Sequence, residues 1–400
     1  MVSAPRSQGG PGDLATVQRY DLVITGGIVI DPAQQVHSRK DVGISDGKIA
    51  ALEDRIDPTL ASRVIDVDGR IVSAGLIDLH THVYHKVSKI GLDVDTACLA
   101  EGVTTSVDAG SAGSITFPGF RDYCVRRAKS RVYAFVNLAS IGLIDAGIGE
   151  LRDMVYADAE GAAATIDANP DICLGIKVRM GKPFVNDADL RPLEMCIETA
   201  ERVGCGVMVH VARPAAPLSD IFDLLRPGDV ITHIFHGRGE TVVRDGRILA
   251  ALERARGRGV RTDVGHGGGS FAFSTARAAM ATGFRPDSIS TDLHAGCVNG
   301  PCYSLTTTMA KFMALGLSID EVIEATTIEP ARTIHKEHLI GTLTPGHVAD
   351  LTVLDLVDEI SRFEDCEQQT LLGEQRLRAV MTIAGGEVVA SRLEHVPSVT

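Results

Sequence analysis

The chain has 400 residues, 44% of them apolar, and a net charge of −13. That length allows one large barrel domain plus a smaller one, and the negative charge argues against nucleic acid or an anionic membrane as partner, since both attract basic patches. Aromatic residues are 4% of the chain and tryptophan is absent, so stacking is not expected to drive recognition.

In chain order, residues 1–17 are rich in Gly, Pro, Ser and Gln and lack the apolar stretch of a signal peptide, so they read as a disordered leader. Residues 18–70 read as short strands and turns, among them Tyr20-Asp-Leu-Val-Ile-Thr-Gly-Gly27 and Val42-Gly-Ile-Ser-Asp-Gly-Lys48. Eight β-rich apolar runs follow, at 71–78, 103–108, 132–138, 172–178, 206–211, 230–234, 260–264 and 289–292, with helix-like segments such as 190–202 and 241–256 between several of them. Buried parallel strands alternating with helices predict a (β/α)8 barrel over residues 71–340. Strand-like runs return in Asp350-Leu-Thr-Val-Leu-Asp355 and near 380–389, so residues 18–70 and 341–400 are expected to pair as a small flanking β-sandwich domain. No run of about 18 apolar residues suggests a membrane span. Eight cysteines are scattered without a C-x-x-C pair, which suits reduced core thiols in a cytoplasmic protein.

The chemistry-bearing residues fall at the ends of these runs. The first closes on Asp78-Leu-His-Thr-His82, and side chains two apart on a strand share a face, so His80 and His82 converge on one point. Imidazole is the commonest side-chain metal ligand, and a converging pair is half of a metal site; a hydrogen-bonded pair of core histidines is the alternative. Lys177, inside Gly175-Ile-Lys-Val178, is costly to bury unless paired or modified. His210 ends the fifth run and His233 the sixth, and either alone reads as a core histidine. Asp292 ends the eighth, as a helix cap or as a ligand and general base. Arg179 shares the inward face of Lys177 and suits either a bidentate grip on a substrate carboxylate or a salt bridge at the barrel lip. His266 lies among glycines in Val264-Gly-His-Gly-Gly-Gly-Ser-Phe271, and His294 follows Asp292 by two.

This constellation resembles the amidohydrolase superfamily, in its binuclear-metal, carboxylated-lysine branch. Thr232-His-Ile-Phe-His-Gly237, the glycine-rich stretch around His266 and Ser290-Thr-Asp-Leu-His294 look like its dihydroorotase-like group of amidohydrolases and deacetylases. Glu329-Pro-Ala-Arg332 with Gly341-Thr-Leu-Thr-Pro-Gly-His-Val-Ala-Asp350 is similar to the superfamily's exit into its β-domain. The resemblance implies two divalent ions, usually Zn2+. His80, His82 and Asp292 would bind the first, His210 and His233 the second, and Lys177, carrying a CO2-derived carbamate, would bridge them. At the sixth run, His233 closes the strand and is taken as the ligand; His236 lies three residues into the loop and is taken as substrate rim, together with Arg179, His266 and His294. Dihydroorotases carry an arginine two residues after H-x-H, where this chain has Tyr84, and the deaminase branches carry a glutamate after the fifth strand, where this chain has Val211-Ala-Arg-Pro214. The expected function is therefore hydrolysis of an amide or ester bond in a small acylated carboxylate, deacetylase-like, by a metal-activated hydroxide with Asp292 as base. The alternatives are a cyclic-amide hydrolase of the dihydroorotase or hydantoinase kind and a non-catalytic binding paralogue. A small molecule is the expected partner, and a homo-oligomer is favoured weakly.

Overall fold

A computed structural model of the chain describes residues 20–393; the expected leader, residues 1–17, and residues 394–400 lie outside them. Among the described residues, seventeen strands precede, build and follow the barrel. The first five are β1 (Leu22–Asp31), β2 (Val36–Ser45), β3 (Lys48–Glu53), β4 (Val64–Asp66) and β5 (Ile71–Ala74). The barrel staves are β6 (Leu76–Thr81), β7 (Val103–Gly113), β8 (Arg131–Asn137), β9 (Cys173–Arg179), β10 (Gly206–His210) and β11 (Val230–Thr232). A short hairpin, β12 (Val243–Arg244) and β13 (Arg247–Ile248), intervenes before the stave β14 (Arg261–Asp263). β15 (Leu351–Glu364), β16 (Thr370–Ala384) and β17 (Glu387–Ser391) end the chain.

β6 to β11 and β14 form one parallel sheet in sequence order. The eighth stave expected at 289–292 is not a regular strand. It is a stretch bridged at one end to β14 (Asp263 with Ser288) and near the other to β6 (Thr81 with Leu293). Asp78 ties it further, accepting from Thr291 N at 3.0 Å and from the Thr291 hydroxyl at 2.5 Å. The alternation within staves is legible in β10. Val207 and Val209 pack outward in the layer beneath the helices, Met208 joins the interior cluster with Val107, Phe135 and Val230, and His210 continues the inward face into the cavity above.

The apolar run expected as one strand over 71–78 is divided. β5 pairs with β1 and β15 in the flanking sheet, while β6 begins the barrel. Gly75 is the joint: a Cβ there would lie 2.2 Å from the Thr104 hydroxyl oxygen, so only glycine lets the chain pass between the two sheets. The flanking strands run in the order β17-β16-β15-β5-β1-β2-β3, with β4 beside β1. They form the expected small domain from both chain ends around a core of its own, and Ile49 N of β3 donates to His347 O at 2.9 Å. The long β15–β16 hairpin also reaches the barrel. In its turn, Cys366 N donates to Phe271 O at 3.0 Å and Asp365 accepts from Phe273 N at 2.8 Å. No helix among the described residues is long and apolar enough to cross a membrane, and all eight cysteines are free.

Candidate metal centre and active site

His80, His82, Lys177, His210, His233 and Asp292 line one cavity of about 200 Å3 at the carboxyl ends of the staves. Asp292 Oδ1 lies 3.0 Å from His82 Nε2 and 3.4 Å from His80 Nε2. The His210 and His233 rings are 4.2 Å apart, and His233 stands 4.9 Å from His80. Two of these residues hold left-handed backbone that side chains beyond Cβ disfavour: His233 has φ 70° and Asp292 φ 48°. Such strain collects where function fixes a side chain's direction.

A shell behind the cavity settles which ring nitrogens face it. The Thr232 hydroxyl donates to Asp263 at 2.7 Å, so it can only accept from His80 Nδ1, 2.8 Å away. His233 Nδ1 donates to Gly265 O at 2.7 Å. Both rings therefore turn a bare Nε2 toward the cavity, the form a metal requires. His82 Nδ1 lies 2.9 Å from the Ser111 hydroxyl, whose own amide donates to Asp108 at 2.6 Å. Asp108 and Asp263 are support residues that the sequence reading passed over, although each is an acid within an apolar run.

The donor set fits divalent ions on two observations. Among the described residues, Lys177 Nζ and His233 Nε2 are buried polar atoms with no hydrogen-bond partner, a costly state unless something else satisfies them. Burial favours the uncharged bases: it holds His80 and His210 well below the ordinary imidazole range, pulls His233 down to about 3, and pulls Lys177 down to about 8, which brings its neutral amine within reach of mildly alkaline pH. Burial acts to raise the Asp292 carboxyl, but the hydrogen bond to His82 leads the effects that outweigh it, and the carboxyl is held well below its ordinary range. One donor atom each from His80, His233 and Asp292 falls within 4.8 Å of the others.

At the mouth, Arg179 takes the salt-bridge alternative of its two readings. Arg179 lines it, but Glu150, unforeseen on the loop after β8, holds its guanidinium in a buried ion pair, and the Phe184 ring lies 3.3 Å from it. Lys182 pairs with Asp187 at 2.8 Å. Arg213, also unforeseen, is exposed, lines the cavity and makes no ion pair among the described residues. His294 lines the cavity. His236 and His266 do not, which corrects their assignment to the rim. His236 N donates to His233 O at 3.1 Å in a tight turn, and neither nitrogen of its fully buried ring has a hydrogen-bond partner among the described residues. His266 stacks on Phe271 with centroids 4.5 Å apart, and its Nε2 lies 2.7 Å from Lys311 Nζ. Tyr84 is buried, with its hydroxyl donating to Thr116 O at 2.9 Å, so its position offers the cavity no cation.

A parallel barrel gathering four imidazoles, a carboxylate and an unpartnered buried lysine at its carboxyl end has the frame of a metal-dependent barrel hydrolase. The model of the amidohydrolase family matches residues 71–389, and the chain belongs to that family. It is 36% identical over 348 residues to a deacetylase of Agrobacterium fabrum, covering 86% of this chain and 85% of that protein. Among solved structures, one titled a dihydroorotase superposes with a TM-score of 0.86 at 34% identity, covering 92% of this chain and 99% of its own. Another, titled an adenine deaminase, gives 0.85 at 32% identity with the same coverages. The relatives' names point to different substrates, so the choice among them falls to the cavity itself.

Proposed function

We propose that this chain removes the acyl group from a small acylated carboxylate, cleaving an amide or ester bond with two divalent ions, zinc being the expected metal. The observation that carries the reading is the pair of buried atoms without a partner among the described residues, Lys177 Nζ and His233 Nε2, in a cavity also lined by His80, His82 and His210. His80, His82 and Asp292 would hold one ion and His210 and His233 the other. Lys177 would span them once its neutral amine has added to CO2, a step that forms one N–C bond and releases one proton. Bound divalent ions supply Lewis acidity, polarising the scissile carbonyl and lowering the pKa of the attacking water.

The remaining work belongs to side chains on this chain. Asp292 Oδ1 is turned to His80 and His82, which leaves Oδ2 to take the water's proton and return it to the leaving nitrogen or oxygen. The neutral His80 and His233 rings keep their donors toward the shell, so neither competes for that proton. At the mouth, Arg179 is committed to Glu150 and Lys182 to Asp187, which leaves Arg213 as the cation open to a substrate carboxylate. A ring-opening reaction on an anionic cyclic amide is disfavoured because Tyr84 is turned away into the core.

Elemental analysis and a substrate panel test this reading together. Protein purified without chelators should carry close to two divalent ions per chain, and it should hydrolyse N-acetyl amino acids or O-acetyl hydroxy acids faster than hydantoins or dihydropyrimidines. Active protein with less than half an equivalent of metal would overturn the metal assignment. A preference for rings would replace deacylation with cyclic-amide hydrolysis.

A further inference from the structure

Lys311 is a second fully buried lysine, and its Nζ hydrogen bonds go to two carbonyl oxygens and an imidazole, with no carboxylate pairing with it among the described residues. It lies on the helix Leu305–Ala314, whose amino end is capped by Ser304 accepting from Thr307 N at 3.1 Å. Its Nζ stands 2.7 Å from each of three acceptors: Pro301 O, Glu364 O and His266 Nε2. An ammonium has three donors and no acceptor, so the three bonds satisfy it completely. They join four segments: the helix, the loop that follows Asp292, the far end of β15 in the flanking sheet, and the loop after β14.

The bond to His266 has a direction. An ammonium can only donate, so His266 Nε2 must accept, and the ring proton then sits on Nδ1, where it donates to Gly267 O at 2.9 Å. The backbone at that point is pinned to the eighth stave, with His266 N donating to Ser290 O at 3.2 Å and Gly267 N to Thr291 O at 2.7 Å. Gly267 has φ 57°, and a Cβ there would lie 2.2 Å from Asp292 Oδ2, so this loop rests directly on the Asp292 carboxylate. The next three residues, Gly268, Gly269 and Ser270, line the cavity. Uncompensated burial of a cation is costly, and here it fixes one imidazole and the wall that follows it.

We propose that Lys311 is a positioning residue. Its ammonium sets the tautomer and orientation of His266, and through it the placement of residues 267–270 against Asp292 and the substrate, while touching neither. The Glu364 carbonyl makes the flanking hairpin part of this device, so the hairpin's seat and the cavity wall are set together.

The kinetic arm of the test rests on the proposed deacylation; the spectroscopic arm does not. Lys311→Met keeps the volume and removes the donors. It should fold, keep its metal and raise KM about tenfold, the effect of one charge-assisted hydrogen bond, with a smaller change in kcat. His266→Leu should repeat that phenotype, whereas His266→Gln, which keeps an acceptor for Nζ, should restore KM toward wild type. Long-range 1H–15N spectra of histidine-labelled protein should show His266 protonated at Nδ1 in the wild type and altered in Lys311→Met. A folded Lys311→Met with unchanged KM, activity lost only in step with metal, or a His266 proton on Nε2 would each overturn the proposal. If Lys311→Met does not fold, the two His266 variants decide, and equal kinetics in Leu and Gln would overturn it. If no acylated compound is hydrolysed, the proposed function fails and the tautomer alone decides the role of Lys311.

Discussion

Lys177 and Lys311 are buried to the same degree, and burial pulls each down to about 8. They differ in what surrounds the nitrogen. Lys311 Nζ has three acceptors at 2.7 Å, the full complement of an ammonium. Lys177 Nζ has no partner among the described residues. The first arrangement is complete and needs nothing further. The second is complete only if the nitrogen is changed or something arrives to meet it. Burial alone therefore does not separate a structural lysine from a reactive one, whereas counting donors against acceptors does.

The sharpest way to break that contrast is to remove Lys177. Lys177→Ala should lose most of its metal and more than ~10²-fold in kcat/KM, beyond what a supporting residue costs, and acetate or formate should restore part of both. Retention of near-normal turnover and two ions would make Lys177 a structural cation like Lys311. The lowered pKa adds a sign. Only the neutral amine adds to CO2, and it becomes an ammonium as pH falls through about 8. Reconstitution of metal-stripped protein with metal and bicarbonate should thus be faster at pH 9 than at pH 7. The opposite trend would exclude the free amine as the reacting form.

A smaller effect is expected at Asp292, which separates holding an ion from moving a proton. Asp292→Asn keeps the size and one oxygen, so most of the metal should remain while kcat falls by at least the ~10² typical of a lost general base. If more than about a tenth of kcat survives, the base is another group, and His294 at the cavity mouth is the next candidate.

What could be read from the chain follows from the range of each interaction. His80, His82, Lys177, His210, His233 and Asp292 share a cavity because each ends a stave or its equivalent, and stave order maps directly onto sequence order. Local pattern could not show that Gly75 splits an apolar run between two sheets, nor that the β15–β16 hairpin reaches over the barrel. Both depend on partners far along the chain. Lys311 looks like an ordinary helix lysine in Thr308-Met-Ala-Lys-Phe312, and Glu150 like a loop acid. Their roles come from Glu364, Pro301 and Arg179, which no local spacing connects to them. Loops after staves usually face the site, which is why sequence position points His236 and His266 to the rim; a tight turn directs one ring inward and a stacked phenylalanine holds the other behind the wall.

The smallest expected effect, at His236, strains the donor–acceptor rule most. Both of its ring nitrogens are buried and, among the described residues, without a partner, as Lys177 Nζ and His233 Nε2 are, yet it does not line the cavity. Cavity position and an unmet nitrogen together mark a ligand, so His233→Asn should deplete metal, whereas His236→Asn should keep both metal and most of kcat. Burial pulls His236 from its ordinary 6.5 down to about 4. It is neutral in the folded protein at assay pH and adds no ionisation to the rate. Stability carries its signature instead. Between about pH 4 and 6.5 the unfolded chain binds a proton at this ring that the folded chain refuses, so stability falls as pH drops through that window. His236→Asn removes one such proton and should flatten the acid-side slope of the thermal midpoint slightly, leaving the neutral-pH rate alone. Metal depletion in His236→Asn, with retention in His233→Asn, would exchange the two residues. An unmet nitrogen would then outrank cavity position as the mark of a ligand.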